Sequence, residues 1–303
     1  MTRTAGTTGA ITVYGHAKIN LFLGIVGEYG QGFHALAMVM QSISLADALT
    51  LTPAIDIQLT CDHPTLPCDA RNLAFRAAQL LQERSQSHRG VTIHIEKRIP
   101  IGAGLAGGSA DAAAVLVGLN HLWGLGLTLP ELAELGSQLG SDIPFCVMGG
   151  TMLATGRGEV LEPLSPLTLP LLLIKPNDVS IATPWAYQTH RQLRQQHPGW
   201  QVTPIQPMLE AIEHIHSPSD LIPHLHNDLE WPVLLQHPDL ADLKASLQQD
   251  PDVLGVLMSG SGSAFFTLVA DDDAAKRCAA RWQSPTLSTW AVRTLDHGVT
   301  VYG

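Results

Sequence analysis

Charge, aromatic rings and lysine are all scarce in this chain. Of its 303 residues, 15% are charged, 5% are aromatic and only five are lysine. Scarce charge beside 45% hydrophobic residues argues against global disorder, which needs little apolar surface and high net charge. The charge that exists is acidic: 17 Lys and Arg against 27 Asp and Glu, a net -10. A nucleic-acid binder usually carries a basic stripe, so no such partner is expected. The four cysteines (Cys61, Cys68, Cys146, Cys278) include no C-x2-C pair, which removes the zinc ribbon and the thioredoxin motif. Cys61 and Cys68 could bridge a loop, but free thiols in a reducing cytosol are the expectation. Nearly apolar runs are short. The longest, Leu167 to Ile174, contains Thr168 and Pro170 and falls far below a membrane span. The start, MTRTAGTTGAITVYG, lacks a basic segment followed by an apolar one, so no secretory signal is expected. The default is a soluble cytoplasmic protein with no membrane partner. Oligomeric state is not legible.

What is present suggests two domains of mixed structure. Length alone gives a prior of roughly two domains. Strand composition occurs at Ile11–Tyr14, Ile19–Leu23, Ser44–Leu51, Asp56–Thr60 and, most clearly, Val91–Ile95. Helical patterns cover Asn72–Glu83, Ala110–Trp123 and Leu129–Leu139. Strand texture returns at Thr151–Ala154, Leu169–Ile174, Leu254–Met258, Ala264–Val269, Ala291–Leu295 and Val299–Tyr302, with a helix at Asp271–Trp282. Strands, then helices, then strands favour α+β over a doubly wound parallel sheet. Residues 176–238 are rich in Pro, Gln and His. A boundary in the Pro-rich segment EPLSPLTLP divides the chain into 1–160 and 161–303.

Four constellations carry chemistry. The first is Pro100–Asp111, P-I-G-A-G-L-A-G-G-S-A-D, with a strand before it and a helix after it. Gly102, Gly104, Gly107 and Gly108 allow close backbone approach to a ligand, and the helix start beside Ser109 offers free N–H groups to an anion. A dinucleotide fold would need a second strand and a terminal acid about 20 residues on. Another helix follows instead. A Walker A loop would need a lysine after the last glycine, and the protein-kinase motifs V-A-I-K and H-R-D are absent. A turn without a ligand is the plain alternative. The second is His16–Leu21, H-A-K-I-N-L, where alternation places Lys18 and Asn20 on one strand face. Lys18 is either a fixed charge in a dry cleft or an edge lysine reaching solvent. The third is Gly140–Pro144, where Asp142 either caps a turn or acts as a base supported by Lys18. The fourth, S-G-S-G-S at 259–263, is weak alone. Histidine pairs at His214/His216 and His224/His226 raise a metal site, but no cysteines lie nearby and solvated histidines are the plainer reading.

Taken in order, H-A-K-I-N-L, Q-G-F-H, P-I-G-A-G-L-A-G-G-S-A-D-A-A, G-S-D-I-P-F and S-G-S-G-S resemble the GHMP kinases over about residues 13–296. The resemblance implies a two-domain α+β fold with the site in the cleft between domains. Within the family it implies ATP-dependent phosphorylation of the 2-hydroxyl of a cytidine-diphosphate-linked methylerythritol, in the non-mevalonate route to isoprenoids. Lys18 and Asp142 fall on the catalytic pair. Residues Pro100, Gly102, Ala103, Gly104, Leu105, Ala106, Gly107, Gly108, Ser109 and Ala110 would wrap the ATP phosphates with Mg2+; its protein ligands are unknown. Lys97 and Asn72 match the adenine pocket, and Lys18 and Lys97 are the expected cations for the phosphates. Asn20, His34, Thr183 and Asp142 match substrate contacts, while Phe33 and Tyr187 match aromatics that stack on cytosine. Three positions depart from the family. His16 replaces a proline, Gln31 an aspartate and Ala106 a glycine, so Ala106 is expected to keep a negative φ. A mevalonate- or homoserine-type kinase and a non-catalytic nucleotide binder are the rival readings.

Overall fold

The computed structural model describes residues 9–28, 34–197 and 199–303. Its first two strands are far longer than expected. β1 runs Ile11–Glu28 and β2 runs His34–Ala54, paired antiparallel along their length. The sequence suggested three short pieces because HALAMVMQSISL is apolar without alternation. That stretch of β2 is buried almost throughout, so period two disappears.

The first half continues with β3 (Ile57–Cys61), α1 (Leu73–Ser85), β4 (Gly90–Glu96), α2 (Gly107–Trp123), α3 (Leu129–Ser137) and α4 (Ile143–Met148). β5 (Thr151–Gly156), β6 (Val160–Pro163) and β7 (Pro170–Pro176) follow. The Pro-, Gln- and His-rich region folds into α5 (Thr183–Gln196), α6 (Gln206–Glu213), a 3-10 turn, β8 (His226–Asn227) and α7 (Glu230–Gln236). α8 (Pro238–Leu247), β9 (Val253–Met258), β10 (Phe265–Val269), α9 (Asp272–Trp282), β11 (Leu287–Leu295) and β12 (Val299–Tyr302) complete the chain. Among the described residues, no helix is long and apolar enough to cross a membrane.

The fold is mixed and mostly antiparallel, as the element order suggested. The main strand order is β12-β1-β2-β11-β7-β10-β9. β4 and β5 also pair with β2. β11 is the joint: its residues 287–293 pair with β7 and its last two with β2. α2 is apolar on nearly every side and buried from Ala110 to Leu116, as a helix inside a core must be. It comes close to β1 because Gly15 has no Cβ to meet the Ala110 carbonyl.

His16 shows what the departure from proline does. Its backbone N–H donates to the Gly298 carbonyl at 3.0 Å, a bond proline would lose. Its ring is buried, meets Thr300 Oγ1 at 2.9 Å and lies edge-on to His297. Burial, reinforced by His297, lowers its pKa to about 4. The unfolded chain takes up this proton near the ordinary 6.5, so folding stability falls as pH drops from 6.5 towards 4. By pH 4.5 the loss should reach about 2–3 kcal/mol. Urea unfolding of His16→Gln at pH 7 and 4.5 should show that part of the acid loss removed. An equal loss in both proteins would refute it.

Candidate active site

A cavity of about 1050 Å3 lies where β1, the glycine loop, the start of α4 and α5 meet. Lys18 reaches it by a change of strand face. Thr12, Tyr14 and His16 line a pocket on the sheet face away from α2, whereas Lys18 lines the cavity. The β1–β2 register breaks between His16 and Lys18, which accompanies the switch. Lys18 is 5% exposed, and its ammonium donates to Asn20 Oδ1 at 2.5 Å. Burial pushes its pKa down, while the Asp142 charge pulls it back up. The snorkelling alternative is therefore wrong for Lys18.

Asp142 stands at the N-cap of α4, yet its carboxylate makes no capping bond. Pro144 in the first turn removes one of the N–H groups a cap would serve. The carboxylate is left facing the cavity. Cys146, one turn on, is buried beside both groups, and burial raises its thiol pKa well above the ordinary value.

The glycine loop is built on left-handed residues. Gly102, Gly104 and Ala106 have φ of 63°, 75° and 57°. The negative φ expected for Ala106 is thus incorrect. Two neighbours pin the loop there: the Lys18 N–H donates to the Leu105 carbonyl at 3.2 Å, and the Leu105 side chain is buried. Tertiary contacts hold Ala106 in αL at a cost of about 1–2 kcal/mol. α2 starts at Gly107, two residues before Ser109, and no side chain caps it. Its first N–H groups are therefore open to an anion. Ala110 is the exception among the loop residues. It is fully buried in α2 against β1 and is not on the cavity wall.

Lys97 lines the cavity as expected, but its charge is already shared with two carboxylates. Its ammonium is ion-paired with Asp47 and, at 2.8 Å, with Asp111. Burial opposes its charge, but the two carboxylates outweigh that and keep its pKa above the ordinary value. Asp47 also accepts from the N–H groups of Arg98 and Ile99 at 2.6 and 2.8 Å, and so fixes the entry to the loop. Burial pushes the Asp111 carboxyl up while the Lys97 ammonium pulls it back down, and its Oδ1 has no partner. Asn72 lines the cavity too, but its amide caps α1 by accepting from the Ala74 N–H and donates to the Pro67 carbonyl.

The opposite wall holds His34, Thr183 and Tyr187. The His34 and Tyr187 rings lie 4.9 Å apart at 33°. Burial raises the Tyr187 pKa, so the phenol stays neutral. Phe33 and Gln31 lie outside the described residues. The S-G-S-G-S loop closes the back. Ser259 Oγ donates to the Gly104 carbonyl at 3.1 Å, the Ala264 N–H to the Ala103 carbonyl at 3.2 Å, and Thr183 Oγ1 meets Ser261 Oγ at 2.9 Å.

Sequence reasoning missed Arg71, Ser141, Arg157 and Arg191 on the cavity wall. Arg191 had a signal, since it falls one helical turn after Tyr187; the two other arginines come from loops with none. All four cysteines are free thiols. Among the described residues, the grouping with metal-like spacing is Asp250, Asp252 and Cys278, not the histidine pairs. Arg277, Arg281 and Trp282 already occupy its carboxylates.

Comparison with known proteins finds relatives over nearly the whole chain. Residues 72–150 match the description "GHMP kinases N terminal domain", and 208–285 match "GHMP kinases C terminal". A 4-diphosphocytidyl-2-C-methyl-D-erythritol kinase of Synechococcus sp. (strain JA-2-3B'a(2-13)) is 48% identical over 298 residues, 96% of each chain. The crystal structure of a 4-(cytidine 5'-diphospho)-2C-methyl-D-erythritol kinase superposes with a TM-score of 0.77 at 34% identity, covering 93% of this chain and 98% of that one. A homoserine kinase from Cytophaga hutchinsonii shares the fold, with a TM-score of 0.75 at 17% identity over the full length of both chains.

Proposed function

The chain belongs to the GHMP kinase family, and from that premise we propose that it transfers the γ-phosphoryl group of ATP to the 2-hydroxyl of 4-diphosphocytidyl-2-C-methyl-D-erythritol, a step of the non-mevalonate route to isoprenoid precursors. The observation that carries the substrate is the His34–Tyr187 ring pair facing the same cavity as Lys18 and Asp142. Mevalonate and homoserine have no base to stack, and such a wall would serve them nothing. Residues 1–160 would form the nucleotide-binding domain and 161–303 the second domain. The protein would work in the cytoplasm.

Phosphoryl transfer needs placement and charge stabilisation more than covalent chemistry. The left-handed loop and the open start of α2 direct N–H groups at the phosphates. Asp142 accepts the proton of the 2-hydroxyl as it attacks. The Lys18 ammonium keeps Asp142 ionised and stabilises charge on the attacking oxygen. Asn20 holds that ammonium in place. Oxygen donors on the wall (Ser109 and Ser141) are hard ligands of the kind that would hold Mg2+. When bound, Mg2+ supplies neutralisation of phosphate charge. Tyr187 and Phe33 would stack on cytosine, with His34 reading its edge and Thr183 beside it.

ADP release should be measured with the cytidine-linked substrate, mevalonate and homoserine. Turnover with the first alone is expected; preference for either other alcohol would sink the reading. Tyr187→Ala should raise KM for the cytidine substrate by roughly 5- to 100-fold, as loss of one stacked ring does. KM for ATP should stay within about twofold. Equal rises in both would remove Tyr187 from the base site.

A further inference from the structure

Lys175 is a buried lysine that the proposed chemistry does not use. It is 4% exposed near the end of β7, between β10 and β11. Its ammonium donates to the carbonyls of Pro176, at 2.6 Å, and Val179, at 2.5 Å. The Val179 carbonyl also accepts from Ser263 Oγ, and the Val179 N–H donates back to Pro176 at 3.4 Å. The turn at 176–179 is thus drawn around one cation. Methionine would fill the same space without the cost of burying charge. What the ammonium contributes must lie in the backbone it holds.

That backbone leads to both halves of the cavity. Ser180 packs so closely on the loop that a Cβ at Gly102 would collide with its hydroxyl. Three residues later Thr183 starts α5 and meets Ser261. α5 then carries Tyr187 to His34. We propose that Lys175 is a positioning residue: it holds segment 176–183 as a strut that sets the glycine loop on one side and the start of α5 on the other. The proposal rests on the nucleotide reading of that loop. Without the ammonium, the buried Pro176 carbonyl and the half-buried Val179 carbonyl lose a charged donor, the turn opens, and Ser180 no longer backs the Gly102 turn.

The test is Lys175→Met, with ADP binding measured by calorimetry in the absence of acceptor. ADP affinity should fall about 10-fold, the scale of one lost charged hydrogen bond. KM for the cytidine substrate should rise by a similar factor, with kcat within about threefold. A purely structural lysine would lower Tm and leave both constants alone. ADP affinity within twofold of the parent in folded Lys175→Met overturns the proposal. Ser263→Ala removes one of the two donors to the Val179 carbonyl and leaves the Lys175 ammonium on it, with about threefold weaker ADP binding expected. Should Lys175→Met not fold, parental affinity in Ser263→Ala overturns the proposal instead. A parent that binds no ADP sinks the nucleotide reading itself. A parent that binds ADP without using the cytidine substrate sinks only the acceptor.

Discussion

Asp142→Asn should cost about 100- to 10,000-fold in kcat, the span that loss of a general base covers. ADP affinity should hardly change. The substitution keeps the shape, and the lost charge caps nothing, since the carboxylate makes no bond to the first turn of α4. Tm should fall only by what buried Lys18 loses with its counter-charge, and ADP binding by the folded variant separates a chemical loss from a folding loss. The pH profile adds a second reading. Burial lowers the Lys18 pKa and Asp142 partly restores it. Removing Asp142 takes away the larger of the two charges that oppose burial, the other being Cys146, so Lys18 should lose its proton at lower pH than in the parent. The alkaline limb of the residual activity should move to lower pH. Parental kcat in Asp142→Asn would end the base assignment.

Gly104→Val should abolish measurable nucleotide binding, at least about 100-fold in affinity, because two costs fall on one residue. Its φ of 75° is hostile to a β-branched side chain. A Cβ there would also collide with the Ser259 carbonyl oxygen, with the Gly262 nitrogen 3.0 Å away. Backbone lies on that side, so no side chain can swing clear. The loop would have to leave the S-G-S-G-S segment, and the Ser259–Gly104 bond would break. Gly107 is a milder position. A Cβ there would sit 3.1 Å from Ile99 Cγ2, a contact a side chain can relieve. Calorimetry with ADP should rank Gly104→Val far below Gly107→Ala. Similar affinities would mean that the loop backbone does not cradle the phosphates.

The net charge of -10 says little about phosphate binding, for which the sequence suggested backbone N–H groups, a helix start, Mg2+ and a few placed cations, chiefly Lys18 and Lys97. Structure changes which ones. Lys97 is consumed by Asp47 and Asp111 beneath the loop, where breaking one pair would cost about 3–5 kcal/mol. It ties the β2 and α2 carboxylates together at the entry to the glycine loop. Lys18, bonded to Asn20 rather than to a carboxylate, also lines the cavity, as do Arg71, paired with Asp69, Arg157, paired with Glu159, and Arg191. Lys175 is spent on backbone carbonyls. Scarce lysine was informative, but each role needed the partner of each ammonium, and those partners lie far off in the chain.

Local pattern alone determined much of this protein. The period of V-T-I-H-I, the apolar faces of α1 and α3, and the run of glycines before α2 are short-range signals, set by backbone sterics and by side chains a few residues apart. The mixed α+β class follows from them, as do the motifs that place Lys18, Asp142 and the glycine loop in one family. Tertiary structure decided the rest. It merged short strand signals into β1 and β2, because a strand buried on both faces has no alternation to read. It turned Lys18 to the cavity at a break in register, held Ala106 at positive φ between Lys18 and a buried Leu105, and left the Asp142 carboxylate uncapped. It also brought Ser259 to Gly104 across 155 residues. Each of these depends on atoms distant in sequence meeting within a few ångströms, where packing and burial outweigh local preference.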